Sequence, residues 1–275
     1  MVECISNAKR RAAQAPLRIL WEDAPEHCVL RPNEVHVWAV ELKPPENDLS
    51  IFEAVLSPDE RERAGRYHFD LHRCRFIRGR GALRFLLGEY LDCRPEKLAF
   101  SYGSRGKPFL TGAAENKLQF NVAHSESLAL IAFAEFAEIG VDVEFARRVP
   151  DFDELVNRFF SQREAASFAA LSLELKPTAF FNLWTRKEAL LKATGEGICS
   201  ALNRVEVAFL PNEPARLLAL PDNQEAGNWT LRELAPAQGY AAALAIEKRE
   251  FKLKCWRFAP DGKTTEPRSK VGELV

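Results

Sequence analysis

The sequence lacks the motifs that mark several large classes of protein. It has no Gly-x-Gly-x-x-Gly or Walker-type loop, so nucleotide folds built on those loops have no support. No apolar run approaches the roughly 20 residues that cross a bilayer, so we expect no membrane segment. The 6 cysteines are scattered without a Cys-x-x-Cys pair, which favours reduced thiols in a cytosolic protein over a zinc site or a disulfide framework.

Charge of either sign is not in excess, with 38 Lys and Arg against 39 Asp and Glu. A nearly neutral chain has no overall attraction to nucleic acid or to an anionic membrane, so neither is expected as a partner. Residues 9–11 are basic, but no apolar core follows them, so they do not read as a secretory signal. We therefore expect a cytoplasmic protein of one large domain or two small ones.

The sequence repeats itself weakly at an offset of 104 positions. Residues 35–40 correspond to residues 139–144, and both segments are typical of strands. Ser57 to Glu60 corresponds to Ser161 to Glu164, and both segments are capping boxes that begin helices. These matches indicate a duplicated unit.

Hydrophobic periodicity predicts an α+β fold. The predicted strands are near 35–42, 98–102, 118–122, 128–135, 139–145, 203–209, 229–235 and 239–246, and the predicted helices near 58–67, 71–91, 161–171 and 176–194. The expected division is a flexible N-terminus (1–16), an N-terminal subdomain (17–137), a C-terminal subdomain (138–258) and a flexible tail (259–275). Below, the two subdomains are called the first half and the second half.

Acidic residues alternate with valines in residues 140–144. On a strand, Asp142 and Glu144 point to the same face. A polar strand face is the simpler interpretation. The preceding stretch is very apolar, however, and two partly buried acids repel each other unless a cation lies between them, which favours a metal site.

The segment from Trp184 to Gly195 has helical spacing. Glu188 and Lys192 lie one turn apart, which is consistent with a surface ion pair or with a functional pair. At the 104-residue offset the first half has Arg84 and Gly88 in their places, so this chemistry belongs to the second half alone.

The first half is instead rich in arginine, at positions 61, 63, 66, 73, 75, 78, 80 and 84. A solvated helix face is the simpler interpretation, because acids are interleaved with them. If the two halves face each other, a basic wall would lie opposite a metal-binding wall, which suits a polyphosphate ligand. Two further motifs, Gly106-Lys107-Pro108 and residues 120–125, are typical of a turn and a strand end, or of phosphate contacts through Lys107 and His124.

Taken in order, these motifs resemble the Sfp-type 4′-phosphopantetheinyl transferases. The resemblance runs from about Leu56 to Gly197 and includes Leu-Ser-Pro-x-Glu-x-x-Arg at 56–63. Residues 73–84 are similar to the cyanobacterial-type members. The resemblance implies two similar α+β subdomains related by a pseudo-twofold, each a small, mainly antiparallel sheet packed on helices.

The resemblance also implies the reaction. The enzyme would move the 4′-phosphopantetheine arm of coenzyme A onto a serine of an apo acyl or peptidyl carrier protein and release adenosine 3′,5′-bisphosphate. It would use Mg²⁺ and act as a monomer, since one chain holds both sides of the cleft. The carrier would belong to fatty-acid, polyketide or nonribosomal-peptide synthesis.

The site residues are carried over by motif. Asp142, Glu144 and Glu188 match the magnesium-binding acids, and Lys192 matches the lysine on the pyrophosphate. Glu188 is also the expected general base, directly or through a metal-bound water. The expected coenzyme A contacts are Arg63, Arg73, Arg75, Lys107, Asn121, His124, Ser125 and Lys192. Arg105 departs from the aromatic residue that some members have before Gly-Lys-Pro, which puts the packing of the adenine in question.

Two other functions are compatible with the same residues. One is a non-catalytic module of the same fold that binds coenzyme A or a carrier protein. The other is a different magnesium-dependent phosphotransferase that uses the same acids.

Overall fold

The computed structural model describes residues 19–43, 49–103, 106–111, 117–147, 149, 151–195, 202–221 and 226–259. The segment 1–16, the residues after 259 and Arg105 lie outside the described residues. The strands are β1 (Trp21–Asp23), β2 (Glu34–Glu41), β3 (Phe100–Tyr102), β4 (Pro108–Leu110), β5 (Leu118–Ser125), β6 (Leu128–Glu135), β7 (Ile139–Phe145), β8 (Glu206–Val207), β9 (Leu217–Ala219), β10 (Thr230–Leu234), β11 (Tyr240–Ile246) and β12 (Lys252–Arg257). The helices are α1 (Leu49–Ala54), α2 (Pro58–Gly65), α3 (Asp70–Leu91), α4 (Phe152–Phe159), α5 (Gln162–Ala169) and α6 (Lys176–Thr194).

The two largest sheets share one topology. In the first half β6 pairs antiparallel with β2 on one side and β5 on the other, and in the second half β11 lies in the same way between β7 and β10. The long helices α3 and α6 also follow equivalent first strands. The predicted α+β fold of small, mainly antiparallel sheets packed on helices is confirmed.

One strand crosses the predicted division of the chain. β12 pairs in parallel with β2, with Cys255 opposite Val37, and β1 pairs in parallel with β12 at the sheet edge. The sequence-based division assigns residues 252–257 to the second half and predicts no strand there. The division at 137 and 138 stays a prediction, and the hydrogen bonds of β12 belong to the first sheet.

A buried ion pair fixes the start of α2 against α3. Ser57 N donates to Glu60 at the helix start, and Glu60 is buried. Arg84 Nε donates to Glu60 Oε2 over 2.6 Å, and Arg84 Nη1 reaches the carbonyl of Leu98 at 3.1 Å. A buried guanidinium with this many partners is stable because each charge is compensated.

The second half repeats this arrangement with a lysine. Lys187 Nζ donates to the capping glutamate Glu164 at 2.5 Å and to the carbonyl of Leu202 at 2.6 Å. Leu202 is the counterpart of Leu98 at the 104-residue offset. The duplicated unit therefore extends to its buried charges.

The strand β7 contacts α6 backbone to backbone at Gly140. A Cβ atom added there would lie 2.0 Å from Ala189 O and 2.5 Å from Ala193 N. Neither neighbour is a flexible side chain, so any larger residue would push the strand away from the helix. Since β7 and α6 carry the acids and the lysine noted above, this contact determines how closely those groups approach.

We expect Gly140→Ala to lower the free energy of unfolding by at least about 2 kcal/mol, because the methyl group overlaps backbone atoms. Chemical denaturation measures the change. Gly65→Ala is the matched control, since a Cβ at Gly65 meets nothing within 4 Å. Equal stability of the two variants would contradict this close contact.

Candidate active site

Four ionisable side chains of β7 and α6 lie close enough to influence one another's ionisation. Asp142 is 4% exposed, and its Oδ1 accepts a hydrogen bond from Lys192 Nζ at 2.6 Å. Glu188, one turn earlier on α6, is 2% exposed. Glu144 lies two residues along β7 from Asp142, on the same face. The predicted acids and lysine are thus brought together.

Burial raises the pKa values of all three acids, and repulsion by Asp142 adds to the rise for Glu144 and Glu188. Burial raises the pKa of Asp142, and the ammonium of Lys192 opposes that rise. Burial also raises the pKa of Glu144. Burial, together with the charge of Asp142, raises the pKa of Glu188 to about 7. One lysine does not neutralise three carboxylates, so the site favours an added cation or an added proton.

Two carboxylate oxygens in the site have no partner. Among the described residues, Asp142 Oδ2 and Glu188 Oε1 are buried side-chain oxygens without a hydrogen bond. Such oxygens suit a hard divalent cation, which binds carboxylates and water. Within the same residues, no group of three His, Cys, Asp or Glu side chains is arranged to hold a metal ion. The donors fit magnesium chemically, and the predicted three-acid ligand set stays a prediction.

Side chains of β5 connect the first half to β7. Asn121 Oδ1 accepts from Val141 N at 3.0 Å, and Ser125 Oγ accepts from Phe145 N at 3.1 Å. Ser125 Oγ also donates to Glu144 Oε2 at 2.8 Å, which holds that carboxylate. Here Asn121 and Ser125 bind the neighbouring strand, and their expected contact with coenzyme A stays a prediction.

A basic cleft of about 490 Å³ opens next to these acids. Its polar side chains are Arg63, Tyr67, His72, Arg75, Arg80, His124, Ser125 and Glu126. Ser125 borders both the cleft and the acids. His124 also lines the cleft and lies near the acidic group. Burial and the charges of Lys192 and Arg75 lower the pKa of its imidazole, and the charge of Asp142 opposes that shift. The cleft and the acidic group therefore form one continuous site.

The predicted arginines differ in position. Arg63 and Arg75 line the cleft, and Arg75 Nη2 lies 3.1 Å from Glu126 Oε2. Arg73 is not among the residues that line it; its side chain is 37% exposed and lies 3.5 Å from Asp70. Arg75, which directly precedes Phe76, therefore lines the cleft, whereas Arg73 does not.

Sequence reasoning missed Arg80 as a residue of the site. Its side chain is 9% exposed, its Nη2 donates to Tyr102 OH at 2.9 Å, and its Nε lies 3.3 Å from Glu60 Oε1. In the described part of the chain, Arg80 Nη1 is buried without a hydrogen bond and the residue lines the cleft. The sequence offered one signal, because Arg80 lies one helical turn from Arg84. In the structure both arginines contact Glu60.

Comparison with known proteins adds two family matches. Residues 138–245 match the family described as 4′-phosphopantetheinyl transferase superfamily, and residues 40–136 match 4′-phosphopantetheinyl transferase, N-terminal. The 4′-phosphopantetheinyl transferase HetI of Nostoc sp. is 42% identical over 243 residues, which is 88% of this chain and 100% of that protein. The chain belongs to the 4′-phosphopantetheinyl transferase family.

Other 4′-phosphopantetheinyl transferases are similar as well. A putative member from Synechocystis sp. is 40% identical over 66% of this chain and 72% of its own length. The transferase Sfp of Bacillus subtilis is 26% identical over 73% of this chain and 86% of its own. The predicted resemblance to Sfp-type transferases, in the cyanobacterial-type form, is confirmed. In the described part of this transferase, no helix combines the length and the apolar character needed to cross a membrane.

We expect Glu188→Gln to flatten the pH dependence of stability in this transferase. The pKa of Glu188 is about 7 in the folded protein and 4.5 in the unfolded chain. The folded state therefore holds the proton more tightly, and the wild type loses stability as the pH rises from 4.5 to 7. The loss between pH 5 and pH 8 should be smaller in the variant by about 2 kcal/mol. Denaturation with EDTA present measures it. The exposed Glu174→Gln serves as control, and identical pH profiles for Glu188→Gln and wild type would refute the raised pKa.

Proposed function

We propose that the chain transfers the 4′-phosphopantetheine group of coenzyme A to a serine hydroxyl of an apo acyl or peptidyl carrier protein. The other product is adenosine 3′,5′-bisphosphate. One observation carries the proposal: the basic cleft of the first half continues, through His124 and Ser125, into the Asp142–Lys192 pair of the second half. The family to which the chain belongs supports the same reaction.

The cleft suits the nucleotide end of coenzyme A. Arg63, Arg75 and Arg80 bring three guanidinium groups to the cleft; Arg75 pairs with Glu126 there, and Arg80 pairs with Glu60. Arg75 Nε and Arg80 Nη1 are buried N–H groups that have no partner within the described residues. Guanidinium groups in this state bind phosphate oxygens strongly. We place the 3′-phosphate of coenzyme A there.

The pyrophosphate then lies toward Lys192. The serine oxygen attacks the phosphorus that carries the pantetheine arm, and the bond from that phosphorus to the oxygen of the nucleotide phosphate breaks. Lys192 donates hydrogen bonds to the leaving phosphate as its negative charge grows. Glu188 accepts the serine proton as the general base.

Magnesium dependence is part of the proposal. Asp142, Glu144 and Glu188 would hold Mg²⁺, whose charge would offset the charge on the phosphoanhydride oxygens. Ser125 orients one of these ligands through its hydrogen bond to Glu144. We further propose that the enzyme acts as a cytoplasmic monomer, because both sides of the cleft come from one chain.

The central test incubates the protein with an apo carrier, coenzyme A and Mg²⁺ and measures the intact mass of the carrier. We expect a gain of one phosphopantetheine group, loss of that gain with EDTA, and at least about 100-fold slower transfer for Asp142→Asn and Lys192→Met. A panel of fatty-acid, polyketide and peptide carriers without any gain would exclude the transferase. Tight binding of coenzyme A without turnover would support the non-catalytic module instead.

A second test concerns Arg80. Arg80→Met should lower kcat/KM for coenzyme A about 10-fold, through the loss of a charge-assisted hydrogen bond, and leave 3′-dephospho-coenzyme A nearly unaffected. Arg66→Met, at an exposed arginine that pairs with Glu62, is the control and should change neither value much. An equal loss for both substrates would mean that Arg80 supports the fold and does not contact the 3′-phosphate.

A further inference from the structure

Lys107 makes a contact that differs from the role implied by its motif. The Gly-Lys-Pro resemblance implies that this lysine contacts coenzyme A. In the structure, Lys107 Nζ donates to the carbonyl of Lys192 at 3.1 Å and to that of Ala193 at 3.5 Å. Its side chain is 18% exposed, and the carboxylate of Glu138 lies 3.8 Å away.

These carbonyls belong to the C-terminal turn of α6. The helix ends at Thr194, and Gly195 follows with a φ of 74°. The last carbonyls of a helix have no partner within the helix and carry its partial negative charge, so a lysine ammonium stabilises them. Burial lowers the pKa of Lys107, and Glu138 opposes that shift.

Lys192 is consequently held at two points. Its carbonyl accepts from Lys107 of the first half, and its ammonium donates to Asp142 of β7 at 2.6 Å. The neighbours of Lys107 in sequence, Gly106 and Pro108, line the basic cleft. The segment 106–108, which borders the cleft, therefore also holds the backbone of Lys192 through the side chain of Lys107.

We propose that Lys107 is a positioning residue for Lys192: it holds the C-terminal turn of α6 so that the Lys192 ammonium meets the leaving phosphate. Lys107 makes no direct contact with coenzyme A in this scheme. The inference rests on the proposed function for its kinetic consequence. The capping contact itself does not depend on any activity.

The kinetic test compares Lys107→Met and Lys107→Arg with wild type. We expect Lys107→Met to lower kcat about 10-fold while KM for coenzyme A stays within 2-fold, and Lys107→Arg to recover most of kcat, because a guanidinium also donates to carbonyls. Lys117→Met is the matched control, an exposed lysine of the first half that pairs with Glu135. It should behave as wild type.

Two further measurements keep the inference open to refutation. Calorimetry with adenosine 3′,5′-bisphosphate should give similar affinities for wild type and Lys107→Met; a 10-fold weaker affinity with unchanged kcat would make Lys107 a ligand contact. Amide hydrogen exchange should quicken in the last turn of α6 in Lys107→Met, whether or not the protein is a transferase. Unchanged exchange there, or a lower melting temperature with unchanged kcat, would overturn the inference.

Discussion

The close approach of β7 and α6 at Gly140 sets the geometry of the whole site. The backbone atoms that a side chain at Gly140 would strike belong to Ala189 and Ala193. Glu188 and Lys192 directly precede these residues, so the same contact fixes the height and rotation of the helix relative to Asp142. Only the residue without a side chain allows a strand and a helix to touch in this way. The absence of a Cβ atom at Gly140 therefore determines how closely Glu188 of α6 approaches Asp142 of β7.

The buried ion pairs of the two halves explain why only the second half has a carboxylate of the long helix in the site. In both halves a capping glutamate binds a cation of the long helix, but that cation is Arg84 in the first and Lys187 in the second. At the 104-residue offset Arg84 corresponds to Glu188, so the structural cation of the second half lies one position earlier. With Lys187 bound to the cap, the next residue is left to face β7.

The helices and strands that were predicted correctly are those whose bounds depend on short-range sequence patterns. The bounds of β6, β7 and α6 agree with the prediction, because β6 is a continuous apolar run, β7 alternates with the period of a strand and α6 has the spacing of a helix. The pairing of β12 with β2 could not be predicted, since a parallel pair formed across more than 200 residues leaves no nearby turn to mark it. The hydrogen bonds of Ser125 and Lys107 could not be predicted either, because they depend on how the two halves approach each other.

The return of β12 to the first sheet constrains how the protein can be made. Until residues 252–257 emerge from the ribosome, β2 is an edge strand, although seven of its eight residues are buried in the finished fold. An apolar edge of that length readily pairs with other chains. The N-terminal half must therefore remain partly open until β12, more than 200 residues after β2, has been synthesised. A gene split between the duplicated halves would yield a first product with its sheet unfinished.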